Sequence, residues 1–82
     1  MHMYYVYVLK SQTTGKIYKG LTEDLKRRLL EHNSGKSNFT KSGKPWKLVY
    51  YEAFTSKKDA RREELFLKSG KGKERIKNLL TE

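Results

Sequence analysis

Apolar positions first fall into order at residues 4–10, YYVYVLK, where Tyr5, Tyr7 and Leu9 share one face of an extended strand and Val6 and Val8 the other. Both faces of such a strand need cover, which places it in the middle of a sheet. Residues 11–15 form a turn, and residues 16–21 return antiparallel with Ile17 set against the valine face and Gly20 ending the strand. Thr22 is the expected N-cap of the next element, followed by Glu23 and Asp24 where a helix dipole favours acids, and Asn33-Ser34-Gly35 closes that helix with a C′ glycine. Leu25 and Leu29 make its apolar line. Residues 33–45, NSGKSNFTKSGKP, have no apolar period and read as a long loop. The aromatic and β-branched run WKLVYYEAF at 46–54 is a third strand, and Ser56 with Asp59 opens a helix that runs to about residue 68. Residues 69–72, SGKG, break that helix, and 73–80 form a short closing helix with Ile76, Leu79 and Leu80 on one edge. The order β-β-α-β-α-α predicts an α+β fold, a three-stranded antiparallel sheet flanked by helices.

Length and charge narrow the function. A chain of 82 residues supports one domain, taken here as 1–82, with a modest core. Nineteen Lys+Arg against nine Asp+Glu give a formal net charge of +10, which favours a polyanionic partner, nucleic acid before an anionic membrane. Lysines that merely keep a small domain soluble are the plain alternative. The absence of cysteine excludes disulfides and thiolate metal sites and fits a reducing cytoplasm. The apolar run at the N-terminus is too short for a signal peptide or a membrane span.

Four features carry candidate chemistry. The hairpin sets Tyr7 and Tyr18 in neighbouring positions on the sheet. Arg28 and His32, four residues apart, share a helix face at the rim of the packed side, although an Arg28–Asp24 pair with His32 decorating the helix end would also explain them. Glu64 shares a stripe with Ala60 and Leu67 that otherwise packs against the sheet, so its carboxylate needs a cation, either a metal or a neighbour such as Arg61 or Lys68. Glu63 is the less constrained acid. Finally, the long loop carries Lys36, Lys41 and Lys44 around Phe39, a set suited to a phosphate backbone with a stacked base, unless Phe39 tucks under the loop as an anchor.

Tyr5-Val6-Tyr7, Tyr18-Lys19-Gly20, the helix set Thr22, Leu25, Arg28, Leu29 and His32, and the later Ala60, Glu64, Leu67 and Lys68 together resemble the GIY-YIG nuclease family, in particular its small stand-alone members. Tyr5 stands in place of the first glycine of the family name, and Lys19 in place of the usual aliphatic residue of the second tripeptide. The resemblance implies a metal-dependent endonuclease acting on DNA, with RNA left open as a substrate. It implies that Glu64 holds one divalent cation, Mg²⁺ or Mn²⁺, that Arg28 stabilises charge on the phosphate, and that Tyr7 takes a proton from the attacking water. Tyr18 and His32 then assist around the phosphate. Two other classes stay open, a non-catalytic nucleic-acid-binding module of the same fold and a small basic scaffold protein of a ribonucleoprotein assembly.

Overall fold

The computed structural model describes residues 2–80. Strands β1 (Tyr4–Ser11) and β2 (Ile17–Thr22) form the hairpin; helix α1 (Leu25–Asn33), strand β3 (Trp46–Phe54) and helices α2 (Lys57–Leu67) and α3 (Gly70–Leu79) follow, with one 3₁₀ turn, Lys41–Gly43, inside the long loop. The strand order is β2-β1-β3 and β1 is antiparallel to both neighbours, the expected α+β arrangement. Among the described residues no helix is long and apolar enough to cross a membrane.

The alternation along β1 divides the core in two. Val6 and Val8 are buried with Ala60 and Leu67 of α2 and Ile76 of α3, while Tyr7 and Leu9 pack on the opposite side with Trp46, Leu25 and Leu29. A bulge in β3 keeps both sides filled: Tyr50 pairs with Val8 but Leu48 with Leu9, so Val49 and Tyr50 both serve the valine side and Leu48 returns to the tyrosine side. A strict period of two along β3 misses this phase change.

Three boundaries differ from the sequence reading, each for a local reason. Asp24, not Thr22, caps α1, its carboxylate accepting from the Arg27 amide at 3.0 Å; Thr22 is still paired with Tyr5 in the sheet, and its hydroxyl accepts from the Asp24 amide at 3.1 Å. Gly20 therefore lies inside β2, opposite Tyr7, rather than at its end. At the C-terminal side, α3 begins at Gly70, with the Ser69 hydroxyl accepting from the Gly72 amide at 3.1 Å. Gly72 does not break a helix: a Cβ there would overlap the Phe66 carbonyl and Leu67 Cα, so its bare backbone is the surface by which α3 closes against α2. The remaining caps match expectation, Ser56 accepting from the Asp59 amide and Gly35 at φ +84° just past the end of α1.

Candidate active site

On the tyrosine side of the sheet, four of the expected residues meet. The Tyr7 hydroxyl lies 2.9 Å from His32 Nε2, and the Tyr7 and Tyr18 rings stand 6.3 Å apart between centroids because Tyr18 pairs with Leu9, one diagonal step along the hairpin. Tyr18 meets the imidazole edge-on at 4.9 Å. Gly20 makes room for this cluster, since a Cβ on it would collide with the Tyr7 phenol.

His32 departs from the rim position and the decorative role that its place near the helix end suggested. It is fully buried, because both ring nitrogens find partners: Nδ1 lies 2.7 Å from the hydroxyl of Thr40, itself fully buried, and Nε2 meets Tyr7. Burial holds the imidazole down to about 4, the Arg28 charge adding to the shift and Glu31 opposing it. The ring is neutral at physiological pH, which assigns Tyr7 as donor to Nε2 when Nδ1–H donates to Thr40. The Tyr7 phenol is pushed up to about 12, chiefly by burial; a hydrogen bond from Arg28 opposes this, and the charges of Tyr18 and Glu64 add to it.

Arg28 pairs with Glu31, not with Asp24: Nη1 donates to Oε1 at 2.9 Å. That bond is the main reason its guanidinium is held in the charged form, with the bond to Tyr7 contributing. Reciprocally, Arg28 holds the Glu31 carboxyl below the usual range. The Arg28 side chain is about one-third exposed and so runs between the buried cluster and solvent.

Glu64 makes its hydrogen bonds elsewhere. It is buried on α2, and both oxygens are taken, Oε1 by Arg61 at 2.7 Å and Oε2 by Lys68 at 3.0 Å; only its field reaches the Tyr7 phenol. Glu63 pairs with Arg75 of α3 at 3.2 Å and lies beside Glu52 of β3. Among the described residues no three His, Asp or Glu side chains gather as a metal-binding group.

The loop supplies two kinds of residue. Lys36, Lys41 and Lys44 are exposed, and Phe39 is 87 % exposed, so it is not an anchor under the loop. Thr40 is the anchor instead: its hydroxyl meets His32 and its carbonyl accepts from Trp46 Nε1 at 2.7 Å. Asn33 fastens the other end of the loop, its side chain bonding the Trp46 amide at 2.6 Å and carbonyl at 3.0 Å. Glu31, Thr40 and the mid-strand role of Gly20 were missed by sequence reasoning. Glu31 had a usable signal, an acid three residues after Arg28 on a helix; Thr40, inside a stretch without periodicity, had none.

Comparison with known proteins bears on the family and the fold. Residues 3–77 match the family model described as the GIY-YIG catalytic domain. A UPF0213 protein of Bacillus pumilus is 42 % identical over 69 residues, covering 83 % of this chain and 69 % of the relative, and one of Staphylococcus saprophyticus is 32 % identical over 78 residues, 94 % of each. The solution NMR structure of a UPF0213 protein from Bacillus halodurans superposes with a TM-score of 0.58 at 38 % identity, covering 95 % of this chain and 85 % of that one. With the hairpin tyrosines, the α1 arginine and histidine and the α2 glutamate all inside the matched span, the chain belongs to the GIY-YIG catalytic-domain family, a nuclease-type family.

Proposed function

We propose that this protein is a divalent-metal-dependent endonuclease that hydrolyses phosphodiester bonds in nucleic acid, DNA foremost, with Tyr7, Tyr18, Arg28, His32 and Glu64 as its site. The observation that carries this reading is the buried Tyr7–His32–Thr40 chain of hydrogen bonds beside a partly exposed guanidinium. With both ring nitrogens paired the imidazole is satisfied in the core, and phenol, imidazole and hydroxyl linked in series make a path along which a proton can move.

In this mechanism the attacking water loses its proton to Tyr7 Oη as Tyr7 passes its own to His32 Nε2; the water oxygen forms the new bond to phosphorus as the bond to the leaving sugar oxygen breaks, that oxygen takes a proton from solvent water, and His32 afterwards returns its proton to solvent through Tyr7. The tautomer in which Nδ1–H donates to the Thr40 hydroxyl leaves Nε2 free to accept. Negative charge building on the phosphate offsets the cost of protonating His32, whose resting value near 4 opposes the transfer. Arg28, aligned by Glu31, offers its remaining donors to the phosphate oxygens, and Tyr18 offers its hydroxyl from the neighbouring strand. For the metal, the donor set is one buried carboxylate whose present partners, Arg61 and Lys68, are roughly half-exposed side chains able to swing out. This fits a hard cation such as Mg²⁺ or Mn²⁺ that takes one carboxylate and keeps its waters; held by Glu64, it would supply Lewis-acid neutralisation of a phosphoryl oxygen.

The two ion pairs on Glu64 also favour a second reading, a binding module in which that residue is structural. A panel of plasmid, single-stranded, branched and RNA substrates, assayed with and without Mg²⁺ and Mn²⁺, separates the two. Metal-dependent cleavage that is lost in Glu64→Ala and kept in Glu63→Ala is expected, with nucleic-acid binding retained in both. Binding without cleavage by the native chain, or full cleavage by Glu64→Ala, defeats the nuclease assignment as stated.

A further inference from the structure

Lys19, the middle residue of Tyr18-Lys19-Gly20, pairs with Val8, so its side chain leaves β2 on the valine side, toward α2 and α3. There it lines two adjoining clefts. One, of about 290 Å³, is shared with Ile17, Lys73 and Ile76; the other, of about 380 Å³, with Ile17, Tyr18, Phe39 and Lys68. Three lysines, from β2, from α3 and from the C-terminal cap of α2, thus line clefts that meet at Lys19 beside one edge strand. Lys68 shares Glu64 with Arg61, but among the described residues neither Lys19 nor Lys73 has an ion-pair partner. Burial, and then the charges of Lys73 and Lys68, hold Lys19 below the ordinary lysine range. Lys19 and Lys73, like charges side by side with no ion-pair partner among the described residues, oppose folding, and an apolar side chain at position 19 would pack against Ile17 and Ile76 without that penalty. An inward-pointing lysine also guards an edge strand against pairing. That role asks nothing of Lys73 or Lys68 and gives Lys19 no response to phosphate.

We infer that Lys19, Lys73 and Lys68 form a phosphate-binding site separate from the tyrosine–histidine cluster, which takes a backbone phosphate of the bound strand next to the one held at that cluster. Phe39, on the wall of the same cleft as Tyr18, lies against the adjoining sugar or base. This rests on the nucleic-acid reading of the tyrosine side but not on cleavage. Tyr18 joins the two sites: its ring meets His32, and it lines the second cleft.

Filter binding of a short DNA duplex across a range of salt tests the site. Lys19→Gln with Lys73→Gln should flatten the dependence of log affinity on log salt by ~0.9, the amount for the one phosphate no longer neutralised. Lys19→Arg should keep the native slope. Lys10→Gln with Lys47→Gln, paired residues of β1 and β3, removes the same charge elsewhere and should leave the slope steeper than the first double variant does. An unchanged slope in the first variant, or an equal flattening in the second, overturns the site. Inorganic phosphate supplies the other arm: it should raise the Tm of the native chain but not of Lys19→Met, which should melt higher than native without phosphate. Phosphate protection with an unchanged DNA slope would mean a free anion occupies the clefts and would overturn the backbone assignment. A native chain that cleaves nothing yet shows the flattened slope in the first variant defeats the nuclease reading alone; one that cleaves with an unchanged slope defeats only this site.

Discussion

Gly20 stands across the hairpin from Tyr7, and its missing side chain is the space the phenol occupies. Gly20→Ala should therefore leave the sheet paired while displacing the Tyr7 ring from His32. Single-turnover cleavage should fall by ~10²-fold or more, the loss expected when a proton-transfer group is misplaced, with an unaltered circular dichroism spectrum. Retained cleavage would show that the phenol is not needed where it lies. His32 offers a second test, through pH. Its folded value near 4 lies below the ordinary 6.5, so between those values the unfolded chain binds more protons than the folded one. The stability it contributes is full above pH 6.5 and is lost as pH falls toward 4. Native Tm should drop across that window more steeply than that of His32→Gln, and an NMR titration should find no imidazole inflection near 6.5 assignable to His32. An inflection there would mean the ring is wetter than its buried setting implies.

Among the elements, α3 shows how two glycines of one short stretch differ. Gly72 lies against the backbone of Phe66 and Leu67, whereas nothing stands within 4 Å of a Cβ added at Gly70. Denaturant unfolding should show Gly70→Ala stabilised by about 0.4–1 kcal/mol through a less free unfolded chain, and Gly72→Ala destabilised by more than that. Equal effects would contradict the close approach of α3 to α2. The sequence presents both simply as glycines, and for that reason SGKG reads as a break. The strands and the core face of α2 were legible because alternation in YYVYVLK and the Ala60, Glu64, Leu67 stripe are local patterns. The start of α1 was not, because Thr22 and Asp24 are both good caps and only pairing with Tyr5 decides between them. Likewise Tyr7, Tyr18, Arg28 and His32 were legible as a set, but the depth of His32 depends on Thr40, eight residues along a loop whose path no period encodes.

For the molecule as a whole, the +10 charge should appear as a steep fall of nucleic-acid affinity with salt. Lys36, Lys41 and Lys44 are all exposed on the loop that carries Phe39, and replacing them together with Gln should flatten that slope by up to about three units if each meets a phosphate. A slope identical to the native one would remove the loop from the bound face. The loop's fastening has one more consequence, an optical one. Trp46 is the sole tryptophan of the chain; it is buried, its indole N–H holds the Thr40 carbonyl, and its ring lies 6.4 Å from that of Tyr18. Indole emission from the native chain, excited beyond the tyrosine band, therefore comes from a single site at the junction of loop, hairpin and imidazole, so a shift in its colour or brightness during titration with an oligonucleotide would report the arrival of a strand without any label.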